Sequence, residues 1–269
     1  MIADDLRCAL DPVAFAAIIG FTTPDPWQIR ALRWPGKRLL ENCHRQGGKS
    51  TTAAILGLHT ALYYPGSLVL LISASSRQSS ELFRKVSDFT DRLEHKPELP
   101  EDNKLSCEFS NGSRIVSLPS SEATIRGYSG ARLIIEDEAA RVPDELYYAV
   151  RPMLAVSGGR LILMSTPFGK RGHFFQEWTK GGGNWERIES PVTENPRIST
   201  QFLAEERASM GDWWFNQEYL CQFVETSDTL FSYDSIMGAL DKAVQPLFQI
   251  PTGAVETSGI KPLFGREGP

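Results

Sequence analysis

Residues 43–51 read CHRQGGKST and lie between two segments of different pattern. Arg38 to Asn42 reads as a short strand, and Lys49 to Tyr63 as a helix stopped by Pro65-Gly66. The phosphate-binding pattern G-x-x-x-x-G-K-S/T is met at every defined position except the first, where Cys43 stands for glycine. A tight turn at the end of a strand points backbone N–H groups inward, and the following helix N-terminus adds positive potential for phosphate oxygens. Gly47 and Gly48 allow close backbone approach, Lys49 is expected to reach the β/γ-phosphates, and Ser50 to ligate Mg²⁺. The expected nucleotide-binding run is therefore Cys43, His44, Arg45, Gln46, Gly47, Gly48, Lys49, Ser50 and Thr51.

Leu133 to Ala140, LIIEDEAA, supplies the partner. An apolar strand ending in consecutive carboxylates needs a cation or a chemical task, because ionised groups beside a core are costly. Asp137 fits the magnesium shell and Glu138 the polarisation of an attacking water, the Walker B arrangement. Glu136 reads as an acid favoured by a helix dipole. One helix later, LILMSTP (Leu161 to Pro167) ends a third buried strand in Ser165, Thr166 and Pro167. Its hydroxyls suit a sensor of the γ-phosphate, although taken alone the segment reads better as an ordinary Ser-Thr-Pro turn.

Around these motifs strands and helices alternate. Ser67 to Ala74 is a strand buried on both faces, and Arg77 to Leu93 an amphipathic helix. Leu105 to Phe109 and Arg114 to Leu118 flank Asn111-Gly112 as a hairpin. A helix from Pro143 to Leu154 separates the strands Leu133 to Ile135 and Leu161 to Met164. The alternation predicts an α/β fold with a mostly parallel central sheet flanked by helices, which together with the two motifs resembles the P-loop NTPases of RecA-like, ASCE type. Upstream, Pro12 to Ile19 is helical and Pro24 to Gly36 rich in turns. Downstream come a helix over Phe174 to Thr179, a strand over Trp185 to Ile188, a helix over Thr200 to Met210, an aromatic segment DWWFNQEYLCQF, and an extended tail beyond Leu240.

Composition agrees. The 269 residues are 41% apolar and 23% charged, enough for a substantial core and against a disordered or disulfide-dependent chain. No apolar run approaches membrane-helix length, and the N-terminus lacks signal-peptide order, so an intracellular protein is expected. Cys8, Cys43, Cys107 and Cys221 form no C-x-x-C pair and, with four scattered histidines, suggest free thiols and no metal cluster. The net charge of −5 disfavours a uniformly basic nucleic-acid binder.

In order and wording these motifs resemble the large terminase subunit of tailed bacteriophages, the DNA-packaging motor. CHRQGGKST is similar to that family's variant P-loop, and PDPWQIRAL (Pro24 to Leu32) to its adenine-side segment, in which Gln28 reads the base. ATIRGYSGARLIIEDEAARV, LMSTPFGKRGHFF and QEYLCQFVE resemble the Walker B approach, the coupling motif (Ser165, Thr166, Pro167) and the end of the ATPase region. The resemblance implies an ATPase using ATP and Mg²⁺. It implies a transition-state arginine, with Arg126 matching a finger acting on a neighbouring subunit and Arg45 competing within its own; sequence leaves both open. It further implies double-stranded DNA bound without sequence preference, a portal protein, a small terminase subunit and a homo-oligomeric, pentameric ring in the host cytoplasm, with no membrane. An isolated ATPase domain is then allowed to be monomeric and slow.

The expected organisation is a lead-in with the adenine-side segment at 1–36, an ATPase core at 37–225 and a linker or tail at 226–269. Family members continue into a nuclease; only 29 residues follow Leu240, without an acidic cluster, so no nuclease activity is expected. For DNA contact, Arg160, Lys170, Arg171, Lys180 and Arg187 give a local basic excess, which reads equally as a solvated face of mixed charge, and Trp213, Trp214 and Phe215 suit core or subunit-interface packing better than base stacking. Two other readings stand beside the motor: a helicase-like or remodelling ATPase, and a non-hydrolysing nucleotide-binding assembly module. The absence of a second RecA-like half and of an Asp-Glu-Ala-Asp box argues against the first, and intact Lys49, Asp137 and Glu138 against the second.

Overall fold

The computed structural model describes residues 2–120, 125, 127–225 and 233–239. Three helices precede the first strand: α1 (Ile2–Leu10), α2 (Pro12–Ile18) and α3 (Pro26–Arg33). Both α1 and α3 exceed the sequence expectation. The turn-like Asp25-Pro26 is a helix start, with Asp25 at the N-cap and proline in the first turn, where its missing N–H is harmless. There follow β1 (Arg38–Cys43), α4 (Lys49–Tyr63), β2 (Leu68–Ser73), α5 (Ser76–Asp91), β3 (Glu101–Asp102), β4 (Ser106–Glu108), β5 (Arg114–Pro119) and β6 (Leu133–Asp137). Then come α6 (Asp144–Val150), β7 (Arg160–Ser165), α7 (Gly172–Lys180), β8 (Glu186–Ser190) and α8 (Thr200–Glu218).

The strands form one sheet in the order β3-β4-β5-β2-β6-β7-β1-β8. From β5 to β8 every pairing is parallel; β3 and β4 add an antiparallel edge. Alternation along the strands splits the core in two. Leu39, Val69, Leu71, Leu133 and Ile162 pack with Phe15, Leu56 and Leu82 on one face. Leu40, Leu70, Ile134 and Leu163 pack with Tyr147 and Phe174 on the other. Each fully buried side chain of this size contributes about 1.5–3 kcal/mol. Phe15 of the lead-in is fully buried in the first of these clusters.

β7 lies between β1 and β6, so the P-loop strand and the acidic strand are second neighbours. Their carboxyl ends therefore lie two strand spacings, roughly 10 Å, apart on the same edge of the sheet. Two expected helices are altered. The run Pro143 to Leu154 becomes α6 followed by a 3₁₀ turn, Arg151–Leu154, because Pro152 has no N–H for the ladder. The aromatic segment after Met210 is helical: α8 runs through it, broken only at Gly211 (φ 79°, ψ 164°). Cys8, Cys43, Cys107 and Cys221 are free, buried thiols.

The chain divides into two compact units, Met1–Asp228 and Thr229–Pro269. In the second, the described element is α9 (Tyr233–Ala239). The tail expected beyond Leu240 lies outside the described residues. Among the described residues no helix is long and apolar enough to cross a membrane.

Candidate nucleotide site

The loop between β1 and α4 turns through left-handed backbone at Gln46 (φ 60°) and Gly48 (φ 95°). Gly48 starts α4, and a Cβ there would meet the Gln28 side-chain nitrogen at 2.7 Å. Cys43 has no left-handed backbone and its side chain is fully buried in the core. Glycine is therefore dispensable at that position, and Cys43 offers a phosphate only its backbone. His44 pins the loop to the end of β8: its backbone N–H and Nδ1 donate to Ser190 O (3.0 and 2.9 Å), and Nε2 accepts from Asn195 Nδ2 (3.1 Å). Burial lowers its pKa, which suits this neutral imidazole.

Lys49 is buried, with Nζ donating to His44 O (3.4 Å) and lying 4.0 Å from Glu138 Oε1. Ser50 Oγ donates to Asp137 Oδ2 at 2.8 Å. Burial and then the Glu138 charge push Asp137 up to about 6, against the pull of Lys49 and Ser50. Glu138 has left-handed backbone (φ 57°, ψ 40°), a strained conformation for a non-glycine residue, and caps the 3₁₀ turn Ala139–Arg141. The STP segment meets this turn directly: Ser165 Oγ accepts from Ala140 N (3.1 Å) and donates to Thr166 O (2.7 Å). Ser165, Thr166 and Pro167 are all buried.

Gln28 also comes to the loop. Its Oε1 accepts from Asp25 N (2.8 Å) and its Nε2 donates to Thr52 Oγ1 (3.3 Å). Arg45 leaves the loop with a largely exposed side chain. Arg126 lies outside the described residues.

A cavity of about 180 Å³ is lined by Ser50, Asp137 and Glu138 together with Arg77, Gln78, Glu81 and Lys85 of α5. Lys85 Nζ donates to Thr51 Oγ1 (3.3 Å). These residues carry no motif; the available signal is that α5 begins at the carboxyl end of β2, the sheet neighbour of β6.

Glu136 corrects an expectation. It is in the strand, not at a helix N-terminus, and alternation sends its side chain to the sheet face opposite Asp137. There its Oε2 meets His173 Nε2 at 2.9 Å, while Asp144 Oδ1 lies 3.1 Å from His173 Nδ1 and Tyr147 stacks on the imidazole at 4.5 Å. Burial works against the His173 charge, but the Glu136 and Asp144 carboxylates outweigh it, and the pKa is raised. A histidine raised in this way contributes stability that is complete below its unfolded value, about 6.5, and lost as pH rises through the folded value. His173→Gln is thus expected to lower the melting temperature more at about pH 6 than at about pH 9. Equal losses at both would remove the charged pairing from the account.

The basic run has partners within the fold. Arg160 donates to the backbone carbonyls of Gly36 and Trp34 (3.1 and 2.6 Å), and Arg187 to those of Trp178 and Glu177 (both 2.8 Å). Lys170 pairs with Glu225 (3.0 Å), and Arg171 lies over the Phe168 ring. Arg160, Lys170 and Arg187 thus tie parts of the fold together, while Arg171 and Lys180 are exposed. Of the three aromatics, Phe215 is buried and stacked on Tyr219, as core packing requires.

A parallel sheet with a glycine-rich loop after β1, a buried lysine opening α4 and paired acids ending β6 defines the P-loop NTPase fold. The family model described as terminase large subunit, T4likevirus-type, N-terminal, matches residues 44–237, and the chain belongs to this family. It is 27% identical over 207 residues to the terminase large subunit of Escherichia phage T5, covering 72% of this chain and 46% of that protein. The chain spans about half the length of the curated relatives it matches. Among solved structures, the large terminase ATPase domain of Thermus phage P74-26 is similar at a TM-score of 0.71 and 22% identity, over 80% of this chain and all of that one. The large terminase of bacteriophage HK97 is similar at 0.64 and 17% identity, over 80% of this chain and 55% of that one. Both likenesses concern the fold.

Proposed function

We propose that this chain is the ATP-hydrolysing motor part of a viral large terminase, which couples Mg-ATP hydrolysis to movement of double-stranded DNA into a procapsid. The observation that carries the reading is the 2.8 Å contact of Ser50 Oγ with Asp137 Oδ2, beside Lys49 and Glu138. A hydroxyl and a carboxylate are hard oxygen donors that fit Mg²⁺, an ion that commonly keeps water and substrate phosphates as its other ligands. The ion would neutralise charge on the β- and γ-phosphates. The backbone from His44 to Gly48, with Ser50 and Thr51 following, cradles those phosphates, and Lys49 leaves His44 O to bind them. Glu138 takes the proton of the attacking water. Gln28 exchanges its present bonds for the adenine edge.

Arg126 or Arg45 supplies charge to the transition state, and Ser165, Thr166 and Pro167 pass the change at the γ-phosphate onward. Their bond to the Glu138 turn supports that role. The working assembly is a pentameric ring on the portal protein, in the host cytoplasm, with a small terminase subunit delivering DNA; the domain organisation is that expected above. The test is Mg²⁺-dependent phosphate release by this chain. Release that is lost on Glu138→Gln supports hydrolysis at this site, whereas bound nucleotide without release at any concentration would overturn it.

A further inference from the structure

Three residues after Glu138, Arg141 was given no role by the motifs. The 3₁₀ turn folds it back on its own start, with Arg141 N donating to Glu138 O at 2.8 Å. Its guanidinium then touches three separate parts of the chain. Nη1 donates to Glu138 Oε2 at 3.0 Å, Nη2 donates to Glu218 Oε1 at 3.4 Å, and the Phe168 ring lies 4.6 Å beneath. Glu218, only 8% exposed, is itself tied to the P-loop: its backbone carbonyl accepts from Arg45 N (2.8 Å) and its Oε2 lies 3.5 Å from Arg45 Nη1. The preceding Gln217 accepts from Gly169 N (3.1 Å) in the loop that carries Phe168.

We infer that Arg141 is the positioning residue of the Glu138 carboxylate, and that Glu218 fixes Arg141 from the other side. The inference rests on the reading of Glu138 as the group that activates water. A surface ion pair would carry little weight. This pair differs because its third member is a buried carboxylate, and because a planar guanidinium can bridge two carboxylates while stacking on a ring, which an ammonium cannot. The arrangement also answers a need of the mechanism. Lys49 lies 4.0 Å from the other Glu138 oxygen, and ATP redirects that lysine to phosphate. Arg141 then remains as the cation holding the base, and a displacement of about 1 Å costs about 100-fold in rate.

The experiment measures turnover and Mg-ATP binding in parallel for the parent chain, Arg141→Ala, Arg141→Lys, Glu218→Gln and the double variant Arg141→Ala/Glu218→Gln. Arg141→Ala is expected to lower kcat roughly 10- to 100-fold with affinity unchanged within about twofold. Glu218→Gln shifts kcat the same way, and the double variant is no slower than Arg141→Ala alone, because both act through one group. Arg141→Lys recovers only part of the loss, and it stands in if the alanine variant melts below the assay temperature. An unchanged kcat in both Arg141 variants, a loss of affinity parallel to kcat, or multiplying effects in the double variant would overturn the inference. A parent chain that binds Mg-ATP without turnover would overturn the hydrolysis reading and this inference together; turnover insensitive to Arg141 overturns this inference alone.

Discussion

Glu138→Gln is expected to slow ATP turnover by about 10²- to 10⁴-fold while leaving Mg-ATP affinity within about twofold. The amide keeps the shape of the side chain and one oxygen for Arg141 Nη1, now 3.0 Å from Oε2, but it cannot take a proton. The backbone at Glu138 is left-handed, and glutamine tolerates that region no worse than glutamate, so the turn and its bond to Ser165 persist. Lys49, Ser50 and Asp137, which are assigned to phosphate and magnesium, are untouched. Binding and turnover therefore separate in this variant. Nucleotide titration beside single-turnover phosphate release measures both. Turnover close to that of the parent would move the base elsewhere in the cavity, where Glu81 is the remaining carboxylate.

Glu41→Gln is expected to stabilise the nucleotide-free protein by as much as about 3 kcal/mol at pH 7. Glu41 lies in the middle of β1, fully buried, and neither carboxyl oxygen has a hydrogen-bond partner among the described residues. Burial, and secondarily the Asp137 charge, push it up to about 8, against weaker pulls from Lys49 and Arg160. Between the ordinary carboxyl range and that value the folded chain holds a proton that the unfolded chain releases. Stability is therefore lost as pH rises through this window. Glutamine cannot ionise in either state, so its advantage vanishes near pH 4 and grows towards pH 8, each taken as roughly those values. Thermal denaturation across that range, without nucleotide, reads the effect. A shift that is equal at both ends would show that Glu41 does not titrate as its surroundings require.

Much of the site could be read directly because phosphate chemistry fixes residue types at short spacings. Gly47-Gly48-Lys49-Ser50 and Asp137-Glu138 are each a few consecutive residues, and both motifs end strands whose apolar runs are plain. The bounds of α4 were legible for the same local reason, with a left-handed glycine before it and Pro65-Gly66 after it. What escaped is held together through space. Arg141 and Glu218 are 77 residues apart, and His173 and Glu136 are 37; no periodicity links them. The partners of the basic run from Arg160 to Arg187 were not legible either, because other elements supply them. Two of its arginines donate to backbone carbonyls at the ends of α3 and α7. At Asp25-Pro26 the signal was present, and the turn chemistry of the two prolines masked a helix start.

An assembled motor that hydrolyses ATP is distinguished by phosphate release from Mg-ATP across chain concentration, for the parent and for a mixture of two variants. Arg126→Ala lacks the candidate finger and Glu138→Gln the base, so each alone is expected to be inactive. Mixed, Arg126→Ala subunits keep Glu138 and receive an arginine from Glu138→Gln neighbours. Turnover per chain is expected to rise with concentration, with partial recovery in the mixture. Activity in the parent that is independent of concentration, with no recovery on mixing, would contradict an assembled motor and leave Arg45 as the arginine acting within its own subunit.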